Sequence, residues 1–111
     1  MSDIEDIDWD ALNQKAADRA IAKANVEYLR HHRKVVLAEL MAHAEREVNL
    51  SAVNAQDRYA RTQNQYKACL ADFRSAVEQY ELFDMEYKLL FERIGVWRSK
   101  VALHREATKV R

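Results

Sequence analysis

Apolar residues recur along this chain at alternating intervals of four and three. The second half holds the pattern longest: Tyr66, Leu70, Phe73, Val77, Tyr80, Asp84, Tyr87, Phe91, Ile94, Arg98 and Val101 keep it over five heptads. This is the a/d seam of a helix that packs on another helix. Beside it runs a line at strict sevens, Cys69, Ala76, Phe83, Leu90, Trp97 and His104. Together the two lines make an apolar face wider than a two-stranded seam needs. One antiparallel partner is not expected to cover it, so the pattern predicts two hairpins pairing into a four-helix bundle.

The first half also reads as helix. No stop signal follows Trp9 before Asn49, and alanines from Ala11 to Ala44 supply strong helix propensity. Val26, Leu29, Val36, Leu40 and His43 form an apolar stripe, widened by Leu37, Met41, Ala44 and Val48. The acids near Ile7 to Asp10 suit the positive end of the helix dipole.

Between the halves, Asn49, Ser51, Asn54, Asp57, Thr62 and Asn64 bring short polar side chains that compete with helical hydrogen bonds. Thr62-Gln63-Asn64-Gln65 has the form of a capping box before an apolar run. The reading is therefore all-α: a long antiparallel helical hairpin, with an acidic tail over 1–8 and one domain over 9–108. Helix one is expected at about 9–56, the turn at about 57–62 and helix two at about 63–108. The chain has no proline and one glycine, Gly95, so a single continuous bent helix is the alternative.

Composition adds polarity at the ends. The net charge is zero, with 32% charged and 49% apolar residues, which removes any overall pull towards nucleic acid or an anionic membrane. Yet Asp3, Glu5, Asp6, Asp8 and Asp10 stand at the start with no base among them. Arg93, Arg98, Lys100, Arg105, Lys109 and Arg111 stand at the end against Glu106 alone. A hairpin sets these two ends side by side. A single cysteine, Cys69, forms no internal disulfide and fits a reducing compartment. Neither a signal-peptide h-region nor an apolar run of membrane-spanning length is present, so the cytoplasm is the expected location.

Candidate chemistry is sparse. Asp84 and Arg98 are the charged residues of the second seam. With the turn near residue 59, Asp84 falls opposite Arg33 or Lys34 and Arg98 opposite Asp18 or Arg19. The pairs Arg33–Asp84 and Asp18–Arg98 would then set the register; the other reading makes one of them an exposed binding residue. Arg30-His31-His32-Arg33-Lys34 reads as a solvated face, since adjacent histidines point ~100° apart and serve poorly as co-ligands. His43 and His104 stand alone, and Cys69 packs as a small hydrophobe. There is no nucleophile elbow, phosphate loop, zinc-spaced cluster or Glu-x-x-His motif. No enzyme activity, cofactor, metal or small-molecule substrate is expected.

The C-terminal segment interleaves Arg93, Gly95, Trp97, Arg98, Lys100 and Arg105. Phosphate contacts from the bases and stacking on Trp97 suit single-stranded nucleic acid, with Gly95 admitting a close approach. The competing reading is dipole complementation at a helix C-terminus, with Trp97 in the core. The acidic tail would occupy the same bases and restrain such binding.

Tyr28-Leu29, Lys34 to Ala42, Tyr66 to Leu70 and Phe91-Glu92-Arg93 through Trp97-Arg98-Ser99 carry a resemblance. On these residues the chain resembles small uncharacterised all-helical proteins of bacteriophages and prophages that bear a C-terminal Trp-Arg-Ser/Thr patch. It departs from them at Val101 to Arg105. The resemblance implies a phage setting near recombination or replication genes, inside a bacterial host. The combined expectation is a non-enzymatic, homo-oligomeric coiled-coil protein, dimeric by preference, accessory to DNA recombination or replication through a recombination protein or single-stranded DNA. A phage inhibitor of a host defence or enzyme, and a scaffolding adaptor, are the alternatives.

Overall fold

The computed structural model describes residues 8–109. Among these the order is α1 (Trp9–Glu47), α2 (Val53–Thr62) and α3 (Asn64–Lys109), with no strand. The protein is all-α. Most of the acidic tail, and Arg111, lie outside the described residues.

Asp8 opens α1. Its carboxylate accepts the Ala11 N–H at 3.0 Å and its carbonyl accepts the Leu12 N–H at 3.2 Å, so an N-terminal orphan donor is satisfied by the cap. The end of α1 is set by Asn49, which sits in the left-handed region with φ 61°. Asparagine tolerates that conformation better than other side chains, glycine excepted. The N–H groups of Val48 and Leu50 then both reach back to the carbonyl of the fully buried Ala44, at 3.2 and 3.1 Å.

The chain therefore reverses over 48–52, and the turn expected at 57–62 is helical instead. Tertiary contacts outweigh the weak helix propensity of that stretch. Gln56, only 7% exposed, sends its amide to the carbonyls of Leu50 at 2.8 Å and Ser51 at 3.4 Å, satisfying loop acceptors that the reversal leaves open. Arg61 pairs with Asp57 one turn back at 2.9 Å.

A single extended residue, Gln63 (φ −74°, ψ 141°), separates α2 from α3. Its N–H bonds the Ala60 carbonyl, and its carbonyl accepts the Lys67 N–H, so it closes one helix and opens the next. Thr62 does not act as the expected capping residue. Its hydroxyl donates to the Tyr59 carbonyl behind it at 2.7 Å.

Cα packing divides the chain into two compact units: the described residues up to Ala20 with those from Glu81 onward, and Ile21–Tyr80. In the second, Ala22, Val26, Val36 and Ala44 of α1 are buried together with Ala60, Tyr66 and Ala76. Here α3 runs antiparallel to α1: Arg33 lies over Phe73 at 4.9 Å and His43 stacks near Tyr59 at 6.4 Å.

In the first unit α3 again runs antiparallel to α1, as Trp9 meets Trp97 and Lys15 meets Glu86. Its inward positions are Phe83, Tyr87, Leu90, Ile94, Trp97 and Val101, all buried or half-buried. Phe91 and Arg98, which the even heptad count puts on the seam, are exposed. An α-helix turns every 3.6 residues, so a line of sevens drifts ~20° per heptad. Over the length of α3 that drift carries Phe91 and Arg98 off the seam and brings Leu90 and Trp97 onto it.

Candidate functional site

The C-terminal candidate residues lie on the outer half of α3, in the first unit. Helical geometry sorts them. Arg93, Trp97 and Lys100 follow at spacings of four and three and share one flank; Arg98 and Arg105, seven apart, share another. Arg93, Arg98, Lys100 and Arg105 are all exposed and form no ion pair among the described residues. The six residues thus do not form one patch.

Trp97 is half-buried. Its ring meets Trp9 edge to face, with centroids 6.4 Å apart and an interplanar angle of 88°, a favoured aromatic geometry. Its indole N–H is buried with no hydrogen-bond partner. Trp97 is thus engaged by Trp9 and only partly open to solvent. Gly95 lies at an exposed helical position: a Cβ there meets nothing of this chain within 4 Å, and its φ is not positive.

The register pairs differ from the expected ones. Asp84 accepts from Arg19 Nε at 2.6 Å and from Lys88 Nζ at 2.8 Å, while Arg33 lies over the Phe73 ring. Arg98 is exposed, and Asp18 accepts from Gln14 at 2.9 Å. The reversal comes earlier than expected, so the partner of each α3 residue moves towards the N-terminus. Arg19 also lies over Tyr87 at 5.1 Å, which links the ion pair to the apolar seam. Lys88 and then Arg19, by hydrogen bonding, hold the Asp84 carboxyl below the usual range. Nearby, Glu86 raises Lys15, first by its 2.8 Å hydrogen bond and then by its charge.

The second line of apolar residues that matters is on the outside. Leu82, Met85, Leu89, Val96 and Leu103 are 48–71% exposed. Leu82, Leu89, Val96 and Leu103 are spaced by strict sevens, and Met85 lies on the same side of the helix. That side faces away from the seam residue Ile94. The sequence pattern contains this stripe, but the stronger seam on the other side of the same helix hides it.

Elsewhere His31, His43 and His104 are exposed, His32 stacks on Tyr28 at 5.8 Å, and Cys69 is a half-buried free thiol. Among the described residues no group of three or more His, Cys, Asp or Glu side chains is placed to hold a metal, and no helix is long and apolar enough to cross a membrane. No family model, no curated protein and no solved structure matches this chain.

Proposed function

We propose that this protein is a non-enzymatic helical interaction module that works as a homodimer, formed through the outer face of α3. The observation that carries this reading is the exposed stripe Leu82, Leu89, Val96 and Leu103. A solvated face gains nothing from apolar residues at sevens, whereas a helix-to-helix contact requires them.

A second copy fits the stripe by its own symmetry. An antiparallel, two-fold pairing about the midpoint of Leu89 and Val96 sets Leu82 against Leu103 and Leu89 against Val96. The same register sets Glu92 against Arg93 at the centre, twice. The four residues spaced by sevens and the central Glu92–Arg93 pairs are matched in that single register, which sets Met85 at the level of Lys100. Sedimentation equilibrium tests it: the wild type is a dimer, and Leu89→Lys is a monomer with unchanged far-UV circular dichroism. A wild type that stays monomeric into the millimolar range defeats the proposal.

In the phage or prophage setting that the resemblance implies, such a dimer serves DNA recombination or replication as an accessory, holding a protein partner or single-stranded DNA. The support is electrostatic: Arg98, Lys100 and Arg105 are exposed cations without ion pairs among the described residues. Fluorescence titration with single-stranded DNA at low salt is the test. Binding that weakens with salt and in Arg98→Ala supports the role, and no binding at low salt removes direct DNA contact.

A further inference from the structure

The unit formed by Ile21–Tyr80 contains a pocket at the edge of the seam, with the seam residue Tyr66 in its wall. It measures about 250 Å³ and is lined by Arg33, Lys34 and Leu37 of α1, Arg61 of α2 and Tyr66 of α3. Three helices line one concavity: α1 and α2 bring three cations to it and α3 a tyrosine. We propose that this pocket binds a terminal phosphate group, the phosphate monoester of a small ligand or of a strand end.

Both arginines and Tyr66 have partners before any ligand arrives. Arg33 rests on the Phe73 ring at 4.9 Å, with Arg30 over the same ring at 5.8 Å. Arg61 uses Nε on Asp57 at 2.9 Å and Nη1 on the Tyr66 hydroxyl at 3.3 Å, and lies over the Tyr66 ring at 5.6 Å. Its Nη2 has no acceptor among the described residues, so half of the planar fork remains for an oxyanion. Tyr66 is buried, and its hydroxyl oxygen accepts from Arg61. The hydroxyl proton is left to donate. Lys34 is exposed at the rim and has no ion pair among the described residues.

Charge decides between kinds of phosphate. Three cations, with Asp57 the one carboxylate bonded to them, leave two positive charges in excess. A phosphate monoester carries about −1.5 to −2 near neutral pH, whereas an internal phosphodiester carries a single negative charge. The excess matches the monoester. Leu37 supplies an apolar wall where the ester carbon comes to rest.

Isothermal titration calorimetry at low salt tests the assignment with inorganic phosphate, a deoxynucleoside 5′-monophosphate, the corresponding nucleoside, and oligonucleotides with 5′-phosphate or 5′-hydroxyl ends. Saturable binding of the phosphate and the monophosphate, and none of the nucleoside, is expected. Arg33→Gln/Lys34→Gln weakens it by about tenfold or more, since one charge-assisted hydrogen bond is worth roughly that factor. Lys23→Gln, an exposed change outside the pocket, leaves it as it was. Lys34→Glu, a single rim substitution, also abolishes binding and guards against misfolding of the double variant. Preference for the 5′-phosphorylated oligonucleotide over the mononucleotide assigns the ligand to a strand end; the reverse assigns it to a small molecule. The proposal is overturned by non-saturable phosphate binding, by unchanged binding in both pocket variants, or by a 5′-hydroxyl strand binding as well as a phosphorylated one.

Discussion

Arg19 donates to Asp84 at 2.6 Å, two heptads before Arg33, the residue that the heptad phase assigns to the same carboxylate. The displacement is a whole number of heptads because the repeat looks identical after every shift of seven. Periodicity identifies the face of a helix and leaves its longitudinal register open. The position of the reversal, over 48–52, chooses among the equivalent registers.

Asp84 makes part of the stability of its unit depend on pH. Its folded-state pKa is depressed, so its contribution is present above the ordinary carboxylate pKa of about 4 and is lost as pH falls through the folded value. Asp84→Asn is therefore expected to melt below the wild type at neutral pH and to converge with it in strong acid. Equal melting differences at both extremes would show that the carboxylate's charge contributes nothing. The double exchange Arg19→Asp/Asp84→Arg is expected to recover what each single change loses, whereas Arg33→Asp/Asp84→Arg is not.

Trp97 combines a useful ring with a costly N–H. A buried donor without an acceptor costs about 1–3 kcal/mol, and the indole N–H is in that position. Trp97→Phe keeps an aromatic contact for Trp9 and removes the orphan donor, so it is expected to stay within about 1 kcal/mol of the wild type. Trp97→Ala opens a void and is expected to cost about 2 kcal/mol or more. Urea denaturation of the two variants checks this; equal losses contradict the account of the N–H.

Gly95 is a plain helical position. Replacing it by alanine meets no neighbour, and the native φ is not positive. Gly95→Ala is expected to raise stability by about 0.5–1 kcal/mol through the lower entropy of the unfolded chain and better helix propensity. A lower melting temperature would point to a contact at the backbone that the free protein does not display.

Asn49 is the counterpart. With φ at 61° it bears the left-handed strain at the end of α1, so Asn49→Gly is expected to be neutral or stabilising. Asn49→Ala is expected to cost about 1 kcal/mol. If glycine and alanine behave alike in thermal unfolding, the end of α1 does not depend on that conformation.

The residues that were legible in advance are those whose neighbours are local. The long helices follow from alanine, leucine and the four-three spacing, and the seam from Tyr66 to Tyr80 follows from that spacing as well. Asp57 to Thr62 misled because their helix rests on Gln56 reaching loop carbonyls and on the Arg61–Asp57 pair, both overriding propensity. The contact of Trp9 with Trp97, and the meeting of Arg33, Lys34, Arg61 and Tyr66 in one pocket, depend on where the chain reverses. No periodic pattern carries that information. Phe91 and Arg98 left the seam through the gap between 3.5 and 3.6 residues per turn, a small mismatch that grows with length.

Gln63 has a role beyond ending one helix and starting another. In an unbroken helix the buried pair Gln56 and Ala60 would be followed on the same side, at intervals of seven, by Lys67 and Arg74. With one extended residue inserted, Tyr66 and Phe73 come inward in their place. Gln63 thus works as a phase shifter: one backbone conformation determines whether charged or aromatic rows of α3 point into the unit. The reading frame of the longest helix is held by its shortest interruption.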